Sequence, residues 1–314
     1  MIHSNSEGDI YIEEMPLLLV HLREEEKGAD ARLSEVLSYA LDGYAYETAT
    51  EISAFEDYVN RWRRLEKTQN RKNPVQGRIL FAVPLGTSGI NLELYRLIRF
   101  LREHPDFLNG FVGGLLVDSE NDLYSKSAAK DLVFAANCAG CAFVGRPLVE
   151  GTRTLSNYTI VSNNLGTDLM GAYRESAAGL VKEVLGTDCV RKKCPKVLVL
   201  HASSHKTSNT YAIWNRVKEQ LPEMEIREIG LRNGTLSDCA GCPYKMCLHF
   251  GEQGSCFYGG VMVEDVYPAV READAIVMLC PNYNDALSAN LTAFINRLTS
   301  LFRTTRFYDK ALFA

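Results

Sequence analysis

One stretch of the chain, HASSHKTSNT from His201 to Thr210, concentrates hydroxyl and amide side chains where an apolar run ends. Main-chain N–H groups at the start of a helix lack partners and carry partial positive charge, so such a turn attracts anions. The turn suits a phosphate monoester, although ordinary capping of a helix by Ser or Asn accounts for the same pattern about equally well. The hydrogen-bonding residues are Ser203, Ser204, Thr207, Ser208, Asn209 and Thr210, and His205 and Lys206 can add charge.

A second feature is the series Cys239, Cys242, Cys247 and Cys256, with the spacing C-x2-C-x4-C-x8-C. Four thiolates can hold a zinc ion or a [4Fe–4S] cluster. The two later intervals are longer than those of compact cluster motifs, so the spacing permits a metal without requiring one. A cluster, a zinc ion and a loop without metal all remain open.

The elements around these residues indicate an α/β fold. Val197–His201 and Ala275–Cys280 have the composition of buried strands, and Asn209–Leu221 and Leu287–Arg303 have helical spacing. Strands that alternate with helices predict a parallel sheet with helices on both faces. The first half repeats this alternation, and the charge rises at GTDCVRKKCP just before a new strand. We therefore expect two domains, residues 1–190 and 191–314.

Composition narrows the class of protein. The 314 residues are 46% apolar and 23% charged, with a net charge of -5. The chain has no long basic run, no secretory signal and no apolar segment long enough to span a membrane, which argues against a nucleic-acid or membrane partner. Nine cysteines without an export signal fit a reducing cytoplasm.

Three segments in the second half carry a family resemblance. They are ASSHKTSNT, DCAGCPYKMCLHFGEQGSC and READAIVMLCPNYNDALSANLTAFINRL. In this order they resemble the phosphate loop, the cysteine loop and the flavin loop of flavodoxin-like NAD(P)H-dependent FMN reductases and iron–sulfur flavoproteins. The resemblance covers residues 196–314. It departs from the family pattern at Ala202, Ser204, His205, Thr292 and Asn296.

The resemblance implies a flavodoxin-like, doubly wound sheet. It also indicates which residues would contact the bound FMN. Such a sheet uses five strands, and we count three complete strands and the opening of a fourth. Either the domain is cut short, or a partner supplies the missing edge, or the strand count is wrong, and a fragment is the simplest interpretation. The first half contains no motif that we can tie to chemistry. One interpretation is that this half is a degenerate duplicate of a flavodoxin-like unit. By resemblance, Ser203, Lys206, Ser208, Asn209 and Thr210 surround the FMN phosphate, and Pro281, Asn282, Tyr283 and Asn284 border the isoalloxazine ring.

The function implied is that of an FMN-binding oxidoreductase. It would pass hydride from NAD(P)H through the flavin to a quinone, a free flavin or a protein partner, and we expect a homo-oligomer. Two alternatives stand beside it. One is an FMN electron-transfer protein, with or without a [4Fe–4S] cluster and without NAD(P)H activity. The other is a non-catalytic interaction module whose flavin site has decayed.

Overall fold

The chain forms two compact units in the computed structural model. Unit 1 comprises Met1–Cys189 and unit 2 comprises Val190–Ala314. Each unit contains a parallel sheet with helices, so the predicted α/β fold is confirmed. The structure describes residues 3–4, 10–11, 15–23, 27–68, 76–189, 192–203, 208–221, 223–232, 234–280 and 284–314.

The strands of unit 1 are β1 (His3–Ser4), β2 (Ile10–Tyr11), β3 (Leu17–His21), β4 (Tyr46–Ala49), β5 (Gly77–Leu85), β6 (Phe111–Ser119) and β7 (Ala142–Gly151). β1 and β2 form a short antiparallel pair. Among the described residues, the remaining five strands are parallel, in the spatial order β4-β3-β5-β6-β7. Counted along the chain this is the order 2-1-3-4-5, which is the flavodoxin-type order.

Helices cover both faces of this sheet. Successive residues of a strand point to opposite faces, and Leu17 and Leu18 accordingly enter two different apolar clusters. One cluster takes its helical residues from α2, α3 and α4, and the other takes them from α1 and α6. The helices are α1 (Lys27–Ala40), α2 (Ile52–Thr68), α3 (Leu92–Glu103), α4 (Ser125–Cys138), α5 (Thr159–Leu165) and α6 (Leu169–Gly186).

Unit 2 contains β8 (Lys196–His201), β9 (Glu225–Gly230), β10 (Ala275–Leu279) and β11 (Ala311–Phe313). These four described strands are parallel, in the order β11-β10-β8-β9. Counted along this unit, the order is 4-3-1-2, which corresponds to the first four strands of the flavodoxin-type order.

The helices of unit 2 also lie on two faces. Trp214 packs against Val197 and Val199 on one face, whereas Phe294 and Tyr267 belong to the cluster on the other. The elements are α7 (Asn209–Lys218), α8 (Tyr244–Glu252), a π-helix (Met262–Val266) that continues into α9 (Tyr267–Glu272), α10 (Ala289–Arg297) and α11 (Thr299–Phe302).

The differences from the predicted elements are local. The segment predicted as one helix over Leu287–Arg303 is divided at Leu298 into α10 and α11. The cysteine-rich segment predicted as a loop contains α8, which follows Pro243. A search of the described residues finds no helix that is both long and apolar enough to cross a membrane.

Candidate functional site

The carboxyl ends of β8 and β10 lie side by side in unit 2. His201 ends β8 and pairs with Leu279, which ends β10. β9 lies on the other side of β8, so the order of the strands reverses between β8 and β10. Open α/β sheets bind ligands at such a switch point, outside the carboxyl ends of the strands. Ala202 follows β8 and Cys280 follows β10 at this edge, and in the sequence each begins one of the two segments predicted to bind FMN.

The predicted phosphate ligands lie partly within the described residues. Ser203 follows β8 and is half-buried, and Ser208, Asn209 and Thr210 lie at the start of α7. Lys206 lies outside the described residues.

The predicted ring contacts are described at one position. Asn284 is exposed, and its φ of 52° places it in the left-handed region, as does the φ of 58° at the following Asp285. Two successive left-handed residues without glycine define a tight local turn. Pro281, Asn282 and Tyr283 lie outside the described residues.

Ser208 caps helix α7. Its backbone is extended, and its Oγ accepts a hydrogen bond of 3.3 Å from the main-chain N–H of Tyr211. The capping function that the sequence left open is therefore present. It uses one N–H group, while the N–H groups of Asn209 and Thr210 also belong to the first turn, where no intrahelical acceptor exists. An anion at this helix end has donors available to it.

A carboxylate on the neighbouring strand holds α7 in place. Glu228 on β9 accepts hydrogen bonds from the Tyr211 hydroxyl at 2.7 Å and from Trp214 Nε1 at 3.3 Å. Lys218 Nζ lies 2.7 Å from the same side chain. Partial burial raises the pKa of Glu228, but the hydrogen bonds from Lys218, Tyr211 and Trp214 outweigh it and keep this pKa below its usual value. The sequence analysis missed this residue.

His201 is a second residue that the sequence analysis missed. Its ring packs against Tyr211 with 5.0 Å between centroids. Its Nδ1 is buried and has no hydrogen-bond partner among the described residues. A Cβ at Gly230 would lie 3.2 Å from the His201 ring, so a larger residue there would crowd it. The sequence did contain a signal for His201, since it is a polar residue at the end of an otherwise apolar strand.

The loop after β10 is fixed at its far end. Ser288 caps α10, with its Oγ accepting from the N–H of Leu291 at 3.4 Å. Asn290 Nδ2 donates to the carbonyl of Leu231, just after β9, at 2.6 Å. This second candidate loop therefore ends at a position tied to the carboxyl end of the sheet.

The four predicted metal ligands line a single cavity in unit 2. Cys239, Cys242, Cys247 and Cys256 all contribute to its wall. The thiol of Cys242 donates to the hydroxyl of Tyr258 across 3.8 Å, and this contact raises the pKa of Tyr258.

The donor chemistry suits a metal, but the arrangement does not bring the donors together. Among the residues that the structure describes, no three His, Cys, Asp or Glu side chains are placed to hold a metal ion. The four-cysteine metal site therefore stays a prediction, and the function proposed below uses no step through a metal.

The carboxyl edge of the unit 1 sheet contains a buried ion pair. Arg32 on α1 contacts Asp118 at the end of β6, with 2.7 Å between Nη2 and Oδ1 and 3.0 Å between Nε and Oδ2. Asp118 is fully buried, and this burial raises its pKa more than the hydrogen bond and charge of Arg32 lower it. Arg32 also donates to the carbonyls of Ser119 and Arg153. The pair connects α1 to the loops at this edge.

A second carboxylate fills the first turn of α1. Glu120 Oε1 accepts from the N–H of Ala29 at 3.2 Å. A Cβ on Gly28 would lie 1.8 Å from that oxygen, so glycine permits the approach. The first turn of α1 therefore already has a carboxylate from the chain itself beside it.

Comparison with known proteins gives a match to the second half of the chain. No curated protein matches the sequence. The family resemblance seen in the three motifs is confirmed for unit 2, since residues 195–314, which include both loops at the β8–β10 switch point, match the family model for NADPH-dependent FMN reductase.

Proposed function

We propose that the chain is an FMN-binding oxidoreductase that takes hydride from NAD(P)H and reduces a small acceptor. The acceptor would be a quinone, a free flavin or a redox protein. The observation that carries this proposal is the position of the two candidate loops on neighbouring strands at the switch point between β8 and β10. The family match of residues 195–314 supports it independently.

The residues of the first loop fit a phosphate by their chemistry. The first-turn N–H groups of α7 and the side chains of Ser203, Ser208, Asn209 and Thr210 would donate hydrogen bonds to phosphate oxygens, and Lys206 would add charge. Glu228 would keep these donors aligned by fixing α7 on β9. Preorganised donors bind an anion without further ordering cost.

The second loop would contact the ring. Tyr283 would offer a flat face, and the main-chain N–H groups of Asn282, Tyr283 and Asn284 would donate to polar atoms at the ring edge. FMN, when bound, supplies the hydride and electron transfer, and the protein binds and orients it. No side-chain acid or base is needed in this proposal.

A spectrum of the purified full chain tests the proposal. Oxidised flavin bands, present on purification or after FMN is added, should bleach when NADPH or NADH is added without oxygen. A protein that stays colourless after incubation with FMN would contradict the proposal and support the non-catalytic interaction module. Flavin bands that neither nucleotide bleaches would instead support the electron-transfer protein.

The cysteine cavity bears on the form of the electron-transfer alternative that holds a [4Fe–4S] cluster, although its described side chains are not placed to hold a metal ion. Four thiols on one cavity wall supply the right ligand type for a [4Fe–4S] cluster. Anaerobic purification with iron and sulfide analysis tests it. About four irons per chain, with a broad absorbance shoulder, would support a cluster. A protein without iron would contradict the cluster-bearing form of the electron-transfer alternative.

The proposal also covers the domain boundary, the location of the protein in the cell and its partners. We place the domain boundary at residues 190/191, with a degenerate flavodoxin-like unit before it, and the protein in the cytoplasm. We expect a homo-oligomer that binds neither nucleic acid nor membranes. Sedimentation of the flavin-loaded protein tests the oligomer, and a monomer at micromolar concentration would contradict it.

A further inference from the structure

A cavity of about 210 Å³ lies among the cysteine loop, α8, α10 and α11 of unit 2. Besides the four cysteines, its wall includes the aromatic rings of Phe250, Phe257 and Tyr258 and the thioether of Met246. A cavity of roughly 150 Å³ lined by apolar side chains is large enough for benzene. This cavity therefore has room for one substituted aromatic ring.

Arg297 supplies a buried positive charge to the cavity. Its side chain lines the wall, and the residue is only 3% exposed. Nη2 donates to the carbonyl of Gly259 at 2.8 Å, and Nη1 reaches the carbonyl of Ser237 at 3.5 Å. The Nε of Arg297 is buried without an acceptor in the part of the chain that the structure describes.

No acidic side chain among the described residues pairs with this guanidinium. Of the described acidic side chains, none forms an ion pair with Arg297, and none of the described residues that line the cavity is acidic. An unpaired buried charge, and a buried N–H without an acceptor, are both costly. An anionic occupant next to the guanidinium would offset the cost of the buried charge.

A second cation borders the same space. Arg303 lines the cavity, and its guanidinium lies over the ring of Tyr244 at 4.6 Å from the centroid. The wall therefore combines two arginines with aromatic and sulfur-containing side chains. This combination favours a ligand that has a flat apolar body and one negative group.

We propose that this cavity is a binding site for a small organic anion, namely a single-ring aromatic carboxylate, with its carboxylate on Arg297. The four thiols form part of the pocket wall around the ring. The site does not depend on flavin binding, so the proposal stands or falls separately from the oxidoreductase function.

Calorimetric titration of the full chain with benzoate tests the site. We expect saturable binding of about one benzoate per chain. Benzamide has a similar shape and no charge, so it should bind at least about tenfold more weakly. Acetate has the charge and no ring, and it should also bind more weakly. Absence of saturable benzoate binding, or equal binding of benzamide, would overturn the proposal.

Substitution of the buried arginine tests the carboxylate contact. Arg297→Gln should weaken benzoate binding by about 30-fold or more, because a buried charged partner is lost. Arg216→Gln, at an exposed position on α7, is the matched control and should leave binding unchanged. A folded Arg297→Gln protein that binds benzoate as well as the wild type does would overturn the assignment.

Cysteine labelling of the wild-type protein covers the case in which Arg297→Gln does not fold. Saturating benzoate should slow alkylation of Cys242 and Cys256, measured by peptide mass spectrometry. The exposed Cys138 and Cys194 are outside the cavity wall and serve as internal controls. Unchanged labelling of Cys242 and Cys256, or stoichiometric zinc or iron that blocks all four cavity thiols, would overturn the proposal.

Discussion

The hydroxyl of Tyr211, in the first turn of α7, donates a 2.7 Å hydrogen bond to the carboxylate of Glu228 on β9. Trp214 and Lys218, one and two turns further along, contact the same carboxylate. Residues at this spacing share one face of a helix. A single acidic side chain thus fixes the helix whose N-terminus faces the proposed phosphate site.

Replacing Glu228 by Gln should loosen α7. We expect the free energy of unfolding of unit 2 to fall by about 1–2 kcal/mol, because charge-assisted hydrogen bonds are lost, and the affinity for FMN to fall severalfold. Urea unfolding followed by Trp214 fluorescence, in a Trp62→Phe background, measures the first effect. Glu225→Gln, at an exposed position on the same strand, is the control. Equal unfolding midpoints for the two variants would contradict the assignment.

The contribution of Glu228 should depend on pH. Its pKa is held below the usual value of 4.5 in the folded protein. A carboxylate of this kind contributes stability above its unfolded pKa and loses that contribution as the pH falls through its folded pKa. The stability difference between wild type and Glu228→Gln should be constant near pH 7 and shrink below pH 4.5. A difference that persists unchanged until acid unfolding would contradict this.

Breaking the Arg32–Asp118 pair should destabilise unit 1. Asp118→Asn leaves the partly buried guanidinium of Arg32 without its buried counter-ion, and such losses cost up to roughly 3 kcal/mol. Unfolding followed by Trp62 fluorescence, in a Trp214→Phe background, measures the effect. Asp131→Asn, at an exposed position on α4, should change stability by less than about 0.5 kcal/mol. A loss in Asp118→Asn no larger than in this control would contradict the proposed importance of the pair.

FMN should bind once per chain although both sheets have flavodoxin-type strand order. In unit 1 the first turn of α1 already has an anion, because Glu120 accepts from the N–H of Ala29. The absorbance of released FMN relative to protein concentration, after dialysis of the saturated protein, should give about one flavin per chain. A ratio near two would show that unit 1 also binds FMN.

The sequence predicts the regular elements well because their signals are local. Buried strands such as β5 and β6 are mostly apolar runs, and the helix predicted over Asn209–Leu221 begins at the residue where α7 begins. The motif at Ser208 likewise follows from local hydrogen-bonding chemistry. These features require no knowledge of which strands are neighbours.

The supporting contacts could not be predicted, because they depend on strand order. Glu228 meets Tyr211 because β9 lies beside β8, and Arg32 meets Asp118 across 86 positions of the chain. The unpaired Nε of Arg297 is equally invisible in a sequence, since it depends on which acceptors surround it in space. Contacts between polar side chains on different elements are therefore the part of each site that required the structure.

The most direct test of the central claim compares the affinities of FMN and riboflavin for the full chain. The two ligands share the ring and differ in the phosphate, which the start of α7 is proposed to bind. Calorimetric or fluorescence titration should show FMN binding at least roughly 100-fold more tightly, the effect of about two charge-assisted hydrogen bonds. Equal affinities would contradict a phosphate site at Ser203–Thr210.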